Sequence, residues 1–272
     1  MEKLIVLGTG NGGALNCYNT CFALKKANEY FIIDGGGGNQ ILNNLKKSNI
    51  DVLSIHNIFI SHNHTDHILG VIWLIRIIGL NIARNRGFVG NLNIYASDES
   101  IEAIAILVKL LAPQPVKDIW ETKIILHTVK DGEEIEILGC KTKFIDILAK
   151  KDKQFGFKME ISNNKYLTFL GDEPFDERLY SIVKDSDWLL HEAFCLDTEE
   201  DKFKPREKGH CTVKDASKTA KKLNSKNLIL WHTEDENLEN RKELYTNEAK
   251  QYFQGNIYVP NDLDIINLYD II

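Results

Sequence analysis

The chain has 272 residues, 33 of them basic and 39 acidic, for a net charge of −6, and 43% are hydrophobic. An ordinary apolar fraction with a small charge imbalance excludes intrinsic disorder, and the length buries ample core in one large domain or two small ones. Five cysteines, an odd number without framework spacing, exclude a disulfide scaffold, and the acidic balance excludes a generally basic nucleic-acid coat. In chain order, Leu4–Leu7 is a first strand, too short for a signal-peptide core. Gly8-Thr9-Gly10-Asn11-Gly12-Gly13 follows it. The spacing Gly8-x-Gly10-x-x-Gly13 mimics a dinucleotide fingerprint, but Cys17–Lys25 reads as extended, so no helix follows and a tight turn is expected. Thr20–Lys25 and Tyr30–Asp34 are strands, Gly35–Gly38 a turn, and Asn39–Lys47 a helix. Asn57–Ser61 is a buried strand. Asp66–Gly79 is a helix capped near Gly79; the overlapping apolar stretch Ile68–Leu80, interrupted by Arg76, falls short of the about 20 residues that cross a bilayer.

Leu92–Ala96 is a strand, and Ser97 opens a helix that runs to Leu111, where Pro113 and Pro115 stop it. Ile124–Thr128, Glu134–Ile137, Lys141–Ile147, Gly156–Ile161 and Tyr166–Leu170 are strands, with turn signals at Asp131-Gly132 and Asn163-Asn164. Pro174–Lys184 reads as helix, Trp188–His191 as strand, Val213–Leu223 as helix, Asn227–Trp231 as strand, Asn237–Phe253 as helix and Asn256–Leu268 as strands. Each half thus runs from strands to helices, and no linker divides them. The expected fold is α/β, one domain over residues 1–272, with two sheets face to face and helices outside. The unpaired cysteines and the lack of an export signal lead to the expectation of a soluble cytoplasmic protein without a membrane partner.

Eight histidines is an unremarkable number, so only their positions inform. Ser61-His62-Asn63-His64-Thr65-Asp66-His67 follows a buried strand and leads into a helix. In an extended turn His62 and His64 point to one side, while Asp66 and His67 sit at the helix start and point elsewhere. That layout suits two adjacent cations, and imidazole with carboxylate suits zinc first, with manganese or iron as alternatives. Further ligands must come from distant strand ends. Asp172 closes Leu170-Gly171-Asp172, and His232 closes Leu230-Trp231-His232.

His-x-His-x-Asp-His, carried by His62, His64, Asp66 and His67, resembles the metallo-β-lactamase superfamily. Over nearly its whole length the chain is most similar to the ribonuclease Z branch. Leu7-Gly8-Thr9-Gly10, Asp34, His191-Glu192-Ala193-Phe194 and His210-Cys211-Thr212 carry the rest of that likeness. The resemblance implies a four-layer αββα sandwich and one or two divalent cations. It implies that His62, His64 and Asp172 hold one cation and that Asp66, His67, Asp172 and His232 hold the other. It also gives Asp34 a supporting role behind the ligands. Asp66 then orients or deprotonates a water, and His210, held by Glu192, protonates the leaving oxygen. Two features depart from the branch. Leu148 stands where a further ligating His is expected, with Asp146 the nearby substitute. The stretch between Leu148 and Asp172 has room for one hairpin only, without the arm that clamps transfer RNA.

The expected function is a metal-dependent hydrolase of phosphodiesterase type, acting on a small-molecule, nucleotide or RNA-like phosphodiester. The alternatives are a degenerate metal-binding or ligand-sensing member with little catalysis, or a hydrolase of a thioester or lactone. The oligomeric state stays open, a homodimer among the options.

Overall fold

The computed structural model describes residues 1–269. In chain order its elements are β1 (Lys3–Gly8), β2 (Cys21–Lys26), β3 (Glu29–Ile33), α1 (Gln40–Lys47), β4 (Ile55–Phe59), α2 (Thr65–Ala83), β5 (Leu92–Ala96), α3 (Asp98–Leu111), α4 (Gln114–Lys117) and β6 (Ile124–Thr128). There follow β7 (Glu134–Ile137), β8 (Cys140–Asp146), β9 (Phe155–Ser162), β10 (Lys165–Phe169), α5 (Tyr180–Val183), β11 (Trp188–Glu192), α6 (Glu200–Phe203) and α7 (Val213–Lys222). The last elements are β12 (Asn227–Trp231), α8 (Arg241–Ala249), β13 (Asn256–Tyr258) and β14 (Ile265–Asn267).

The chain divides into two compact units. The first comprises Met1–Gly8, Tyr18–Lys130 and Asp262 onward, and the second Thr9–Cys17 and Asp131–Asn261. Each unit has one seven-stranded sheet, ordered β14-β1-β2-β3-β4-β5-β6 in the first and β13-β12-β11-β10-β9-β8-β7 in the second. Both sheets are mixed. In the first unit β3 to β6 run parallel, and in the second β10 to β13 do. The α/β class with two sheets, read from the order of strand and helix signals, is what the structure shows.

Parallel neighbours end on the same edge of a sheet, and that is where open α/β sheets gather chemistry. In the first unit the carboxyl ends of β3 and β4 therefore bring Asp34 beside Ser61 and His62. In the second unit the ends of β10, β11 and β12 bring Asp172, Glu192 and His232 to one edge.

Helix α2 anchors the first unit. Ile68, Val71, Leu74, Ile75 and Ile78 recur at helical spacing and are buried in one apolar cluster with Ile32, Ile58 and Ile94. By length and composition α2 would also suffice to cross a membrane. It runs past the expected stop at Gly79 to Ala83. Gly79 is an approach point rather than a cap, because a Cβ there would sit 3.0 Å from a methyl of Val116.

The start of α2 is pressed against the Gly35 turn. Gly35 donates its N–H to the His67 carbonyl, and Gly70 donates to Gly36, each at 2.8 Å. A Cβ on Gly70 would fall 1.8 Å from the Gly35 carbonyl oxygen. Gly70→Ala is therefore expected to destabilise the chain by about 1–3 kcal/mol, the usual cost of overpacking. A thermal or urea melt checks this, and an unchanged midpoint would show that the turn can give way.

Two expected elements differ, and the last resolves into two strands. Pro174–Lys184 is not one helix but a single 3-10 turn at Glu177–Leu179 followed by the one-turn α5. The Asp176 side chain accepts the Arg178 N–H and delays the start. Asn237–Phe253 shortens to α8, because Asn237 is tied by its amide to Glu199 and Glu234. Asn256–Leu268 is two three-residue strands belonging to different sheets. Ser97 caps α3 as expected, accepting the Ser100 N–H at 3.1 Å.

Candidate metal centre

The first unit builds a cluster out of the segment after β4. His62 is fully buried and extended, His64 is the residue before α2, and Asp66 and His67 lie in its first turn. The backbone thus changes from a two-residue to a 3.6-residue period inside the motif, but the helix start does not turn His67 away from His62 as expected: the rings converge. His62 Nε2 and His64 Nδ1 face each other at 2.9 Å. The rings of His62 and His67 are 4.1 Å apart, and His67 Nε2 is 3.4 Å from Asp66 Oδ2.

Asp34 sets which nitrogen each ring presents. Its Oδ1 accepts the Ser61 N–H, and its Oδ2 accepts both the Ser61 hydroxyl and His67 Nδ1–H, each at 2.8 Å. Because the Ser61 proton goes to Asp34, the serine oxygen is left to accept His62 Nδ1–H at 3.0 Å. His62 and His67 are thereby both turned with Nε2 as the lone-pair atom. Asp34 itself has φ 57°, the left-handed region that non-glycine residues rarely enter. A carboxylate behind a histidine is the arrangement that orients metal ligands. These donors, imidazole nitrogens plus a carboxylate with the tautomer fixed from behind, fit a divalent cation of the zinc type. Asp34→Asn is expected to lower metal affinity about 10- to 100-fold while the chain stays folded. Competition with a chelator measures it, and unaltered affinity would remove Asp34 from this role.

The second unit gathers Asp172, Glu192, His210 and His232. His232 Nε2 lies 3.4 Å from Asp172 Oδ2, and both residues are buried. His232 has φ 55°, again strained, at the end of β12. The strain is held by contacts that the sequence does not announce. Thr233 donates its N–H to Thr9 and accepts from Asn11 at its carbonyl. Arg241, fully buried at the start of α8, donates to the hydroxyls of Thr233 and Thr9 and to the Pro260 carbonyl. The glycine-bracketed Thr9 is thus a clamp on the His232 loop, not a nucleotide turn. A lone arginine opening a polar helix carries no signal of such a task.

His210 sits between two acceptors. Its Nδ1–H points at the Asp172 carbonyl, 2.8 Å away, and at Glu192 Oε2, 3.1 Å away. Glu192 Oε1 accepts the Cys211 N–H at 2.8 Å. Burial pushes the Glu192 carboxyl up to about 7, against the pull of His210. Burial works against the His210 imidazolium, but Glu192 and Asp172 outweigh it and leave its pKa above the ordinary histidine value. With 17% of its side chain exposed, His210 is the member of this cluster that solvent reaches.

The remaining readings resolve locally. Asp146 Oδ1 accepts the Leu148 N–H at 2.9 Å, which keeps that carboxylate on its own loop. Leu148 has φ 60° and packs against the apolar cluster of the second unit. His127 stacks on Tyr95 and bonds Asn93, and His56 bonds the Val89 carbonyl. Between Leu148 and Asp172 the strands are β9 and β10 alone.

The family model described as Anti-Pycsar protein Apyc1 matches residues 2–254. A Ribonuclease Z from Lactobacillus helveticus is 27% identical, with 98% of this chain and 97% of that protein aligned. Among solved structures, the metallo-beta-lactamase fold protein YhfI from Bacillus subtilis superposes with a TM-score of 0.78 at 16% identity, covering 98% of this chain and 99% of that one. Human tRNase Z, short form, superposes with a TM-score of 0.73 at 20% identity, covering 97% and 98%.

Proposed function

From a chain that belongs to the family of the Anti-Pycsar protein Apyc1, and to the ribonuclease Z-like branch of the metallo-β-lactamase superfamily, we infer a metal-dependent hydrolase of phosphodiesterase type whose substrate is a small phosphodiester. The proposed ligand set is His62, His64 and Asp172 for one cation and Asp66, His67, Asp172 and His232 for the other. Zinc is the proposed metal, since its coordination chemistry suits imidazole with carboxylate. When bound, two such cations lower the pKa of water to about 7 and polarise a phosphoryl oxygen.

The chain's own groups supply the rest. Asp34 and Ser61 hold His62 and His67 in the ligating tautomer. Asp66 would orient the attacking water. His210, its Nδ1–H engaged, has Nε2 left to deliver a proton to the leaving oxygen. Glu192 keeps that imidazole charged and aligned.

The observation that carries the small-substrate reading is the stretch from Leu148 to Asp172. It folds as one hairpin, β9 and β10, and gives no arm on which to hold a long RNA. The test is a panel with metal-loaded protein: bis-p-nitrophenyl phosphate, a cyclic mononucleotide, a short RNA and a transfer-RNA precursor. Turnover of the small diesters in preference to the precursor is expected. Faster cleavage of the precursor, or turnover of none, would defeat the reading. Leu148 favours one second reading, a member with weaker catalysis and one cation per chain. Metal analysis of the same sample separates the two. The five thiols, none in a disulfide, support the cytoplasmic location we propose.

A further inference from the structure

Helix α2 is apolar on more than one face. Its core face carries Ile68, Val71, Leu74, Ile75 and Ile78, yet only 44% of its apolar span is buried. A helix that is apolar all round is ordinarily buried all round, so the second face calls for cover. Leu69, Ile72, Trp73 and Arg76 recur at i, i+3, i+4 and i+7 and share that face. With Val108 and Leu111 of α3 they line a groove of about 380 Å³ in the first unit, and the glycine turn at 37–38 forms its third side. Trp73 is 39% exposed and Leu111 61%, so a ligand meets these side chains directly.

The groove holds one charge. Arg76 lines it, is partly buried, and makes no hydrogen bond or ion pair among the described residues. No acidic side chain lines the groove among the described residues. A guanidinium drawn partly out of water against apolar walls, with nothing opposite it, gains from an anion that brings its own apolar body. The planar fork of arginine matches the two oxygens of a carboxylate. One guanidinium balances one negative charge. A phosphomonoester carries about −1.5 to −2 at pH 7 and would leave excess charge facing the apolar walls. The volume falls in the range of about 300–1,000 Å³ typical of small-molecule sites, which are mostly apolar with a few placed polar groups.

We propose that this groove binds the anion of a medium-length aliphatic acid, with its chain along Leu69, Ile72 and Trp73 and its carboxylate on Arg76. Leu69 and Arg76 are seven residues apart, about 10 Å along the helix axis, which sets the length of chain that the stripe can cover. None of the proposed metal ligands lines the groove, so the site stands apart from the hydrolytic reading.

Calorimetry and tryptophan emission on the metal-loaded full chain test this, with decanoate as the probe and decyl phosphate, decyltrimethylammonium and acetate beside it. Decanoate is expected to bind and to shift the emission, decyl phosphate to bind more weakly, and the other two not to bind. Trp73→Phe should remove the emission shift and keep the binding. Arg76→Gln should weaken decanoate about tenfold or more, the loss of a charge-assisted contact. Leu111→Glu puts a like charge in the wall and should weaken it too. That residue is exposed, so this variant keeps the test sound if Arg76→Gln fails to fold. Asp172→Ala should leave binding unchanged. The inference is overturned if decyltrimethylammonium binds as well as decanoate, since the groove then reads apolarity alone, or if decyl phosphate binds more tightly. It is overturned if decanoate binding vanishes in Asp172→Ala, because the carboxylate then sits on the metal ligands. It is overturned equally if decanoate fails to bind and sedimentation shows a dimer that Leu111→Glu splits, since a second copy then covers the groove.

Discussion

Asp172→Ala is expected to reduce turnover of bis-p-nitrophenyl phosphate by about a thousandfold or more, the several kcal/mol that metal-assisted hydrolysis draws from its cations. Asp172 belongs to both halves of the proposed ligand set, so its loss removes one carboxylate from each. The substitution is mild for the fold. Alanine keeps the backbone N–H that faces Gln154 at 3.5 Å and the carbonyl that His210 donates to. The melting midpoint should change little, while metal per chain falls. Mass spectrometry of bound metal, read beside the melt, separates loss of ligand from loss of structure. Near-native activity with full metal content would exclude Asp172 from the centre.

The second large effect belongs to His210. His210→Ala should lower kcat by about 100- to 10,000-fold, the contribution of a positioned general acid, and leave metal content unchanged. The pH profile distinguishes proton transfer from simple packing. The folded pKa of His210 is raised, so the protonated, donating form persists above the ordinary histidine value and activity falls as pH rises through the raised one. That alkaline limb should disappear in His210→Ala. Glu192→Gln should move it to lower pH, because the carboxylate that holds the imidazolium is gone while the acceptor of the Cys211 N–H remains. An alkaline limb unmoved by either change would mean that another group delivers the proton. A leaving group that needs no proton, as in bis-p-nitrophenyl phosphate, should show a smaller loss than an alkyl diester.

How much of this was legible in one sequence depended on distance along the chain. His62, His64, Asp66 and His67 lie within six residues, so the motif itself was legible, but strand and helix periods wrongly sent His67 away from His62, and the structure sets their rings 4.1 Å apart. Asp172 and His232 carried no such information. Each is a single polar residue at a strand end, a candidate only because the His62–His67 cluster needs distant partners, and likeness to a family assigned its role. Ser61 was part of the motif as read, but its work, passing the Asp34 carboxylate to His62, requires β3 and β4 to run parallel side by side. Arg241 gave no signal, since burial turns an ordinary surface cation into a clamp on Thr9 and Thr233. The helix expected from Pro174 starts only at Glu177, because Asp176 caps it there by accepting the Arg178 N–H.

The sequence by itself determined the class of fold, the local ligand motif, the absence of room for an arm before Asp172, and the leucine at position 148. These follow from hydrophobic period, residue chemistry and spacing, all of which are properties of the unfolded string. Only the tertiary structure decided which nitrogen His62 and His67 present, and that Arg241 is buried against Thr9 and Thr233 behind the His232 loop. Those depend on which strands become neighbours and which side chains lose water, and hydrogen bonds between residues far apart in the chain exist only once folding has brought them within about 3 Å.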